Sequence, residues 1–315
     1  MKLLVSRRLP ESVMEAAAAR FDVTCRDTTL PMDHAECVAA LRDYDFALPT
    51  LGDAFTAQAF DAAGDIRTKL LANFGVGYNH IDAGAAREAG VEVSNTPGAV
   101  TDATADIALT LILMTARRAG EGERLVRAGA WDGWHPTQML GLHVTGKTVA
   151  VIGMGRIGQA IARRCHFGFG CRIVYVNRSP KSVDFPAEQL PMVTALVGAD
   201  IVVLATPGGA ETHHLIGSDE FAMMQRHAIF INISRGDVVD EAALVAALAV
   251  KRIAGAGLDV YEFEPAVPAE LREMENVTLL PHLGTAALEV REAMGMMALD
   301  NVIAVADGKP APNAV

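Results

Sequence analysis

The 315-residue sequence is short of positive charge. It has 27 lysines and arginines against 38 aspartates and glutamates, which gives a formal net charge of -11. A protein that binds duplex nucleic acid needs a basic face, and an acidic surface is repelled by anionic lipid. The charge balance therefore argues against nucleic acid and membrane surfaces as partners.

Long apolar segments and a cysteine framework are also missing. The longest helical apolar stretch, residues 107–116, is far shorter than the roughly 20 residues that span a bilayer. The cysteines form no CxxC pair and have no histidine at zinc-binding spacing; they are Cys25, Cys37, Cys165 and Cys171. Residues 1–8 are predicted to begin the first strand, and not to be a secretory signal. We therefore expect reduced thiols, no bound metal and a soluble, cytoplasmic protein.

Short β-rich runs alternate with helical runs along the chain, and this alternation predicts parallel βαβ units. In the first part, strands are predicted at residues 2–6, 22–25, 46–48 and 69–73, with helices at 12–19, 34–41 and 55–63. A second series begins at Lys147, with strands at 148–152, 172–176, 201–204, 228–232, 255–259 and 277–280. These strands are continuous apolar runs, as a sheet covered on both faces requires.

Two interruptions divide the chain into domains. Asn-Thr-Pro-Gly at residues 95–98 breaks the first series, and the chain becomes helical again after Thr285. A chain of this length is comfortable as two domains. The prediction is therefore α/β with two open parallel-sheet domains: residues 99–284 form the central one, and residues 1–98 and 285–315 together form the other.

A G-x-G-x-x-G motif opens the second series at Gly153, Gly155 and Gly158. It follows the strand 148–152 and begins the helix 157–165, which is the context that dinucleotide binding requires. The first glycine permits a tight turn, the second lets the backbone approach a pyrophosphate, and the third lets helix and strand pack closely. The motif predicts a bound dinucleotide whose phosphates face the helix N-terminus.

The end of the next strand bears on which dinucleotide is bound. An NAD site usually places an acid about 20 residues after the last glycine, where it binds the ribose 2′-hydroxyl. This chain instead has Asn177, Arg178 and Ser179 there, with Lys181 beyond them and no acid before Asp184. These groups suit a 2′-phosphate. We therefore predict NADP(H) as the preferred cofactor, with NAD(H) as the alternative.

Three charged or titratable residues follow three successive predicted strands: Arg235, Glu264 and His282. The carboxyl ends of strands in an open parallel sheet face the ligand crevice, so the three side chains can converge there. Protonated His282 could donate a proton to a keto oxygen, and Glu264 would stabilise the imidazolium. Arg235 could clamp a carboxylate at two points. The set predicts hydride reduction of a 2-keto acid.

The chain resembles the D-isomer-specific 2-hydroxyacid dehydrogenases, and most of all their glyoxylate/hydroxypyruvate reductase branch. The resemblance rests on NFGVGYN at 73–79, TDATAD at 101–106, the glycine motif, GAGLDVYEFEP at 255–265 and PHLG at 281–284, and it runs over nearly the whole length. It implies a central Rossmann domain inserted into a flavodoxin-like substrate domain. It also implies a homodimer.

The resemblance implies roles for individual residues. Arg235 would bind substrate, Glu264 and His282 would be the acid/base pair, and the amides of Val76 and Gly77 would hold the substrate carboxylate. Leu51 and Trp134 would also line the substrate pocket, Trp134 from the partner subunit. The cofactor contacts comprise the glycine motif, the turn after the next strand and further residues that the resemblance implies. The full set is Thr104, Gly153, Gly155, Arg156, Ile157, Gly158, Asn177, Arg178, Ser179, Thr206, Pro207, Ile233, Asp259 and Gly284.

Two other readings stay open. One is an NAD-linked relative that acts on a larger acid, such as phosphoglycerate or a branched keto acid. The other is a nucleotide-sensing, corepressor-like module that kept the fold without the chemistry. The intact trio of Arg235, Glu264 and His282 argues against the second. Formate dehydrogenases of the superfamily carry Gln where this chain has Glu264, so this activity is not predicted. The residues do not rank glyoxylate, hydroxypyruvate and phenylpyruvate as substrates.

Overall fold

The structure, a computed structural model, describes residues 1–315 and divides into two compact units. The first comprises Met1–Val100 and Thr285–Val315, and the second comprises Thr101–Gly284. The chain leaves the first unit after Val100, where a long helix begins at Thr101, and returns to it at Thr285. That the first unit binds the substrate and the second binds the dinucleotide stays a prediction.

The first unit is a parallel five-stranded sheet with strand order β2-β1-β3-β4-β5. This is the flavodoxin-like order. Strands and helices are numbered along the chain. The strands are β1 Lys2–Val5, β2 Asp22–Cys25, β3 Phe46–Leu48, β4 Leu70–Ala72 and β5 Glu92–Ser94, and the helices are α1 Glu11–Ala18, α2 His34–Asp43, α3 Ala57–Ala63, α4 Ala83–Glu88 and the C-terminal α12 Leu288–Ala306.

The second unit is a parallel seven-stranded sheet with strand order β8-β7-β6-β9-β10-β11-β12. This is the Rossmann order with a seventh strand added. The strands are β6 Thr148–Ile152, β7 Arg172–Val176, β8 Ala187–Gln189, β9 Ile201–Leu204, β10 Ile229–Asn232, β11 Gly255–Leu258 and β12 Val277–Leu279. The helices are α5 Thr101–Ala116, α6 Ala119–Arg127, α7 Arg156–Phe169, α8 Met192–Gly198, α9 Ser218–Met223, α10 Glu241–Ala249 and α11 Ala269–Glu273, with a 3-10 turn at Gly236–Val238.

Each sheet is buried on both faces, which explains why its strands are continuous apolar runs. In the second unit one core lies between the sheet and α5 with α7, and includes Leu111 and Ile161. The other lies on the opposite face and includes Phe221 and Leu244 from α9 and α10. The predicted fold class, two open parallel α/β sheets, is confirmed.

Two strands were not anticipated, because neither carries an apolar run. β5 has the sequence Glu-Val-Ser and β8 has Ala-Glu-Gln, with mostly exposed side chains in β8. Both complete an edge of their sheet by parallel pairing with an apolar neighbour, β4 or β7. Tertiary pairing therefore makes strands where sequence pattern alone gives no signal.

The four cysteines are free thiols, and three of them are buried. Burial raises the pKa of both Cys37 and Cys165 to about 12, so these thiols stay protonated and unreactive near neutral pH.

None of the helices combines the length and the apolar run that crossing a bilayer requires.

Candidate active site

The glycine loop between β6 and α7 is shaped so that larger residues do not fit. A side-chain carbon on Gly153 would lie 2.7 Å from the carbonyl carbon of Ala205, and one on Gly158 would lie 2.1 Å from the carbonyl oxygen of Gly153. Gly155, directly before α7, has open space around it instead. The loop therefore packs tightly on the protein side while its middle residue leaves room for a ligand at the helix N-terminus.

The end of β9 contributes a second feature to this region. The Thr206 hydroxyl oxygen is buried and has no hydrogen-bond partner, and the Thr206 amide nitrogen would lie 2.8 Å from a side-chain carbon on Gly153. A buried hydroxyl without a partner is costly unless a ligand or water satisfies it. The glycine loop, the open Gly155 and this hydroxyl together fit a dinucleotide. Arg156 and Ile157 begin α7, and exposed Pro207 follows Thr206.

Asn177, Arg178 and Ser179 follow β7, as predicted, but Asn177 is engaged within the protein. Its side-chain oxygen accepts from the Met154 amide at 3.1 Å, and its nitrogen donates to the Ser179 carbonyl at 2.8 Å. Asn177 therefore ties this turn to the glycine loop. Arg178 is highly exposed and pairs with Glu211 at 3.0 Å, which leaves its guanidinium free to exchange that carboxylate for another anion.

A close approach of two loops brings the predicted catalytic residues to one edge of the sheet. Gly236 follows Arg235, and a side-chain carbon on it would lie 1.8 Å from the Tyr261 carbonyl. Only a glycine permits this contact between the loops after β10 and β11. Tyr261 in turn donates from its hydroxyl to the Leu280 carbonyl at 2.9 Å, which joins the loop after β12.

His282 and Glu264 form a hydrogen-bonded pair at this edge. His282 Nδ1 lies 2.9 Å from Glu264 Oε2, and the two side chains are 31% and 29% exposed. The other carboxylate oxygen accepts from the Tyr261 amide at 3.1 Å. Glu264 is therefore held by two donors, and His282 keeps its Nε2 available for a ligand.

The charge state of Glu264 follows from these contacts. Burial alone would raise its pKa, but the hydrogen bond and charge of His282, the Tyr261 amide and the charge of Arg235 outweigh burial and lower the pKa of Glu264. Glu264 is thus a carboxylate near neutral pH.

Arg235 is held at the end of β10 by its own loop. Its Nη1 donates to the Ser234 carbonyl at 2.7 Å, and its carbonyl accepts from the Asn232 side chain at 3.1 Å. Burial lowers the pKa of Arg235, opposed by the charges of Glu264 and Asp237, although a guanidinium stays charged in proteins. A partly desolvated cation beside Glu264 is suited to capture a second anion.

Asp259 fixes the loop that presents His282. Its carboxylate oxygens accept from the amides of Leu283 at 2.6 Å and Gly284 at 2.8 Å, and its carbonyl accepts from the His282 amide at 3.0 Å. Thr104 donates from its hydroxyl to the Gly284 carbonyl at 3.2 Å. His282 itself has a φ of +55°, a backbone conformation that residues other than glycine adopt rarely. The sequence reasoning did not identify this support.

The other predicted residues lie elsewhere in the two units. In the first unit, Leu51 follows β3 and is 41% exposed, while Val76 and Gly77 form a half-buried loop after β4. In the second unit, Ile233 is buried directly after β10. Trp134 is 80% exposed in the irregular segment after α6.

We predict that Glu264→Gln moves the basic limb of the pH–rate profile of reduction to lower pH. The hydrogen bond and charge of His282 help to lower the pKa of Glu264, so Glu264 is a charged acceptor beside the proposed proton donor, and the neutral amide of glutamine is not. The measurement is kcat against pH for wild type and variant, with Glu270→Gln, an exposed residue of α11, as the matched control. A basic limb that stays in place in Glu264→Gln would rule out this pairing.

A Rossmann sheet with an intact glycine loop defines the class as a dinucleotide-dependent α/β dehydrogenase. Comparison with known proteins narrows the class. The sequence profile described as D-isomer specific 2-hydroxyacid dehydrogenase, NAD binding domain, matches residues 109–284. The chain belongs to this family, which confirms the resemblance predicted from its motifs.

Individual relatives match over the full length. Glyoxylate reductase of Thermococcus onnurineus is 41% identical, and the alignment covers 100% of this chain and 95% of that protein. A protein of Thermus thermophilus has a solved structure with a TM-score of 0.93 and 40% identity, with both chains fully covered. An NADPH-dependent glyoxylate/hydroxypyruvate reductase of Sinorhizobium meliloti, solved with NADP and malonate, has a TM-score of 0.89 and 35% identity, covering 100% of this chain and 96% of that one.

Proposed function

We propose that this protein reduces small 2-keto acids, of the size of glyoxylate and hydroxypyruvate, to 2-hydroxy acids with NADPH as the preferred reductant. The hydrogen-bonded pair of His282 and Glu264, with Arg235 at the neighbouring strand end, carries the proposal. The names of the full-length relatives in Thermococcus onnurineus and Sinorhizobium meliloti support the substrate class.

The residues divide the chemistry between them. A bound nicotinamide supplies the hydride that adds to the keto carbon. His282 donates the proton to the keto oxygen from Nε2, because Nδ1 is engaged by Glu264. Glu264 holds the imidazole in one orientation through the hydrogen bond at Nδ1, before and after that transfer. Since general acids typically contribute about 10²- to 10⁴-fold to a rate, this pair is the main chemical contribution of the side chains.

Arg235 orients the substrate. Its planar guanidinium matches a carboxylate at two points and also draws electrons from an adjacent keto oxygen. In the first unit, the amides of Val76 and Gly77 would bind a substrate carboxylate, and Leu51 would contact the substrate. A substrate fixed at its carboxylate presents one face of the keto carbon for reduction.

The test is a steady-state matrix of NADH and NADPH against glyoxylate, hydroxypyruvate, phenylpyruvate and a branched 2-keto acid. We expect the highest kcat/KM with NADPH and one of the two small acids. A maximum on a larger acid with NADH would favour the alternative of an NAD-linked relative for a larger substrate. Cofactor binding without reduction of any acid would favour the nucleotide-sensing module.

We predict that Arg178 carries the preference for NADPH. Arg178→Ala should raise KM for NADPH about tenfold and leave KM for NADH nearly unchanged, because only NADPH carries the 2′-phosphate. Asn177→Asp should reduce NADPH use further, because it adds a repelling charge and an acceptor for the ribose hydroxyl. Arg172→Ala, at the opposite end of β7 and paired with Glu188, is the control.

The measurement is kcat/KM for both cofactors in wild type and the three variants. A wild type that favours NADH would contradict the cofactor assignment. An Arg178→Ala variant with the same NADPH/NADH ratio as Arg172→Ala would show that Arg178 does not read the phosphate.

We predict a homodimer formed through α5 and the segment from α6 to Leu140. Several large apolar side chains are exposed there, and such a patch is typical of an interface. Val126 is 60%, Trp131 53%, Trp134 80% and Leu140 69% exposed. Light scattering should return twice the chain mass of 33.3 kDa. A mass of one chain at working concentration would contradict the dimer and the role of Trp134 in a partner's pocket.

A further inference from the structure

In the loop after β4, three successive backbone carbonyls accept hydrogen bonds from within the protein. The Gly75 carbonyl accepts from the Asn73 side chain at 3.0 Å and from the Thr96 amide at 3.1 Å. The Val76 carbonyl accepts from the Asn95 side chain at 2.9 Å. The Gly77 carbonyl accepts from the same Asn73 nitrogen at 3.0 Å. Three successive carbonyls are thus bound by two asparagines and one backbone amide.

The orientation of Asn73 is itself fixed. Its side chain is buried at the end of β4, with the residue only 1% exposed. Its side-chain oxygen lies 3.0 Å from His80 Nε2. Because an amide oxygen can only accept, His80 is the donor, and the nitrogen of Asn73 must face the carbonyls of Gly75 and Gly77. The amide cannot turn over without losing these three hydrogen bonds.

These contacts determine where the loop amides point. A peptide unit is planar and trans, so the carbonyl of one residue and the N–H of the next point in opposite directions. Binding the Gly75 carbonyl inward therefore turns the Val76 N–H outward, and binding the Val76 carbonyl turns the Gly77 N–H outward. Neither amide has a hydrogen-bond partner within the protein. Adjacent outward amides form a concave site for an anion.

We propose that Asn73 and Asn95 are positioning residues that aim the amides of Val76 and Gly77 at the substrate carboxylate. This inference rests on the proposed function and deepens it. Asn73 orients the Val76 amide by holding the Gly75 carbonyl, and Asn95 orients the Gly77 amide by holding the Val76 carbonyl. Neither asparagine touches substrate. Each side-chain nitrogen is a donor, and an isosteric carboxylate in its place would repel the carbonyl it now holds.

The test compares Asn73→Asp and Asn95→Asp with Asn79→Asp. Asn79 is exposed in the same loop, so it matches the change of charge without a bond to any of these carbonyls. We expect KM for glyoxylate to rise about tenfold or more in the first two variants, since one charge-assisted hydrogen bond is worth about that factor. KM for NADPH and saturating kcat should stay within about threefold of Asn79→Asp.

Malonate, measured as an inhibitor and by calorimetry, reports anion binding apart from turnover. Its affinity should fall in parallel with the rise in KM. Asn95 is only half buried, so Asn95→Asp keeps the test available if Asn73→Asp does not fold. Folded variants whose KM and malonate affinity match those of Asn79→Asp would overturn the inference.

The two proposals fail in different ways. A wild type that reduces no keto acid, but binds malonate more tightly than Asn95→Asp, would defeat the proposed function and keep the positioning role. A wild type that reduces keto acids, with variants equal to Asn79→Asp, would do the reverse. A wild type that neither reduces keto acids nor binds malonate would overturn both.

Discussion

His282→Ala should lower kcat for 2-keto acid reduction by about 10²- to 10⁴-fold while NADPH still binds. His282 is the proposed proton donor and lies 2.9 Å from Glu264, so alanine would leave the keto oxygen without this proton source. The hydrogen bond of this side chain goes to Glu264, and those of Asn177 go to Met154 and Ser179. The measurements are kcat by NADPH oxidation and the dissociation constant for NADPH by fluorescence.

Backbone strain must be separated from lost chemistry in this experiment. His282 has a φ of +55°, and asparagine adopts that conformation more readily than alanine does. His282→Asn should therefore fold as well as wild type and lose activity to the same degree. His227→Ala, an exposed histidine paired with Asp200, controls for loss of a histidine elsewhere. Near-normal kcat in His282→Asn would remove His282 from the mechanism.

Arg235→Gln should lower kcat/KM for glyoxylate by about 10²-fold or more. The glutamine cannot form a charged two-point clamp, and two charge-assisted hydrogen bonds are worth about 3 kcal/mol at the least. Arg235→Lys keeps the charge without the planar fork and should recover part of the loss, mainly in KM. The measurement is kcat and KM for both variants with NADPH saturating. Equal activity in wild type and Arg235→Gln would show that the carboxylate is bound elsewhere.

The fold and the main site could be predicted from the sequence because both follow rules of strand pattern. Apolar runs separated by helical segments predict a parallel sheet, and the carboxyl ends of its strands share an edge. That reasoning placed Arg235, Glu264 and His282 on successive strand ends, and the structure has them after β10, β11 and β12. Gly153 and Gly158 were predictable because their roles depend on the absence of a side chain.

The supporting contacts were not predictable in the same way. The link from Asn177 to Met154 and the pairing of Arg178 with Glu211 join residues distant in sequence. Neither leaves a periodic signal. The place of buried Asp259 beside the nicotinamide stays a prediction, and the hydrogen bonds that its carboxylate accepts from the loop carrying His282 were not predicted. A polar residue at the end of a buried strand is the one signal that could have indicated such roles.

Deuterium labelling follows the proposed hydride transfer from the cofactor to the keto carbon. NADPH deuterated at C4, prepared with the label in each of its two positions, is incubated with wild type and glyoxylate. The mass of the glycolate formed is then measured by mass spectrometry. We expect one of the two labelled samples to give glycolate one mass unit heavier, with the deuterium at C2, and His282→Asn to give at least about 100-fold less glycolate in the same time at the same enzyme concentration. Glycolate without label from both samples, or no glycolate from wild type, would contradict the proposed hydride transfer.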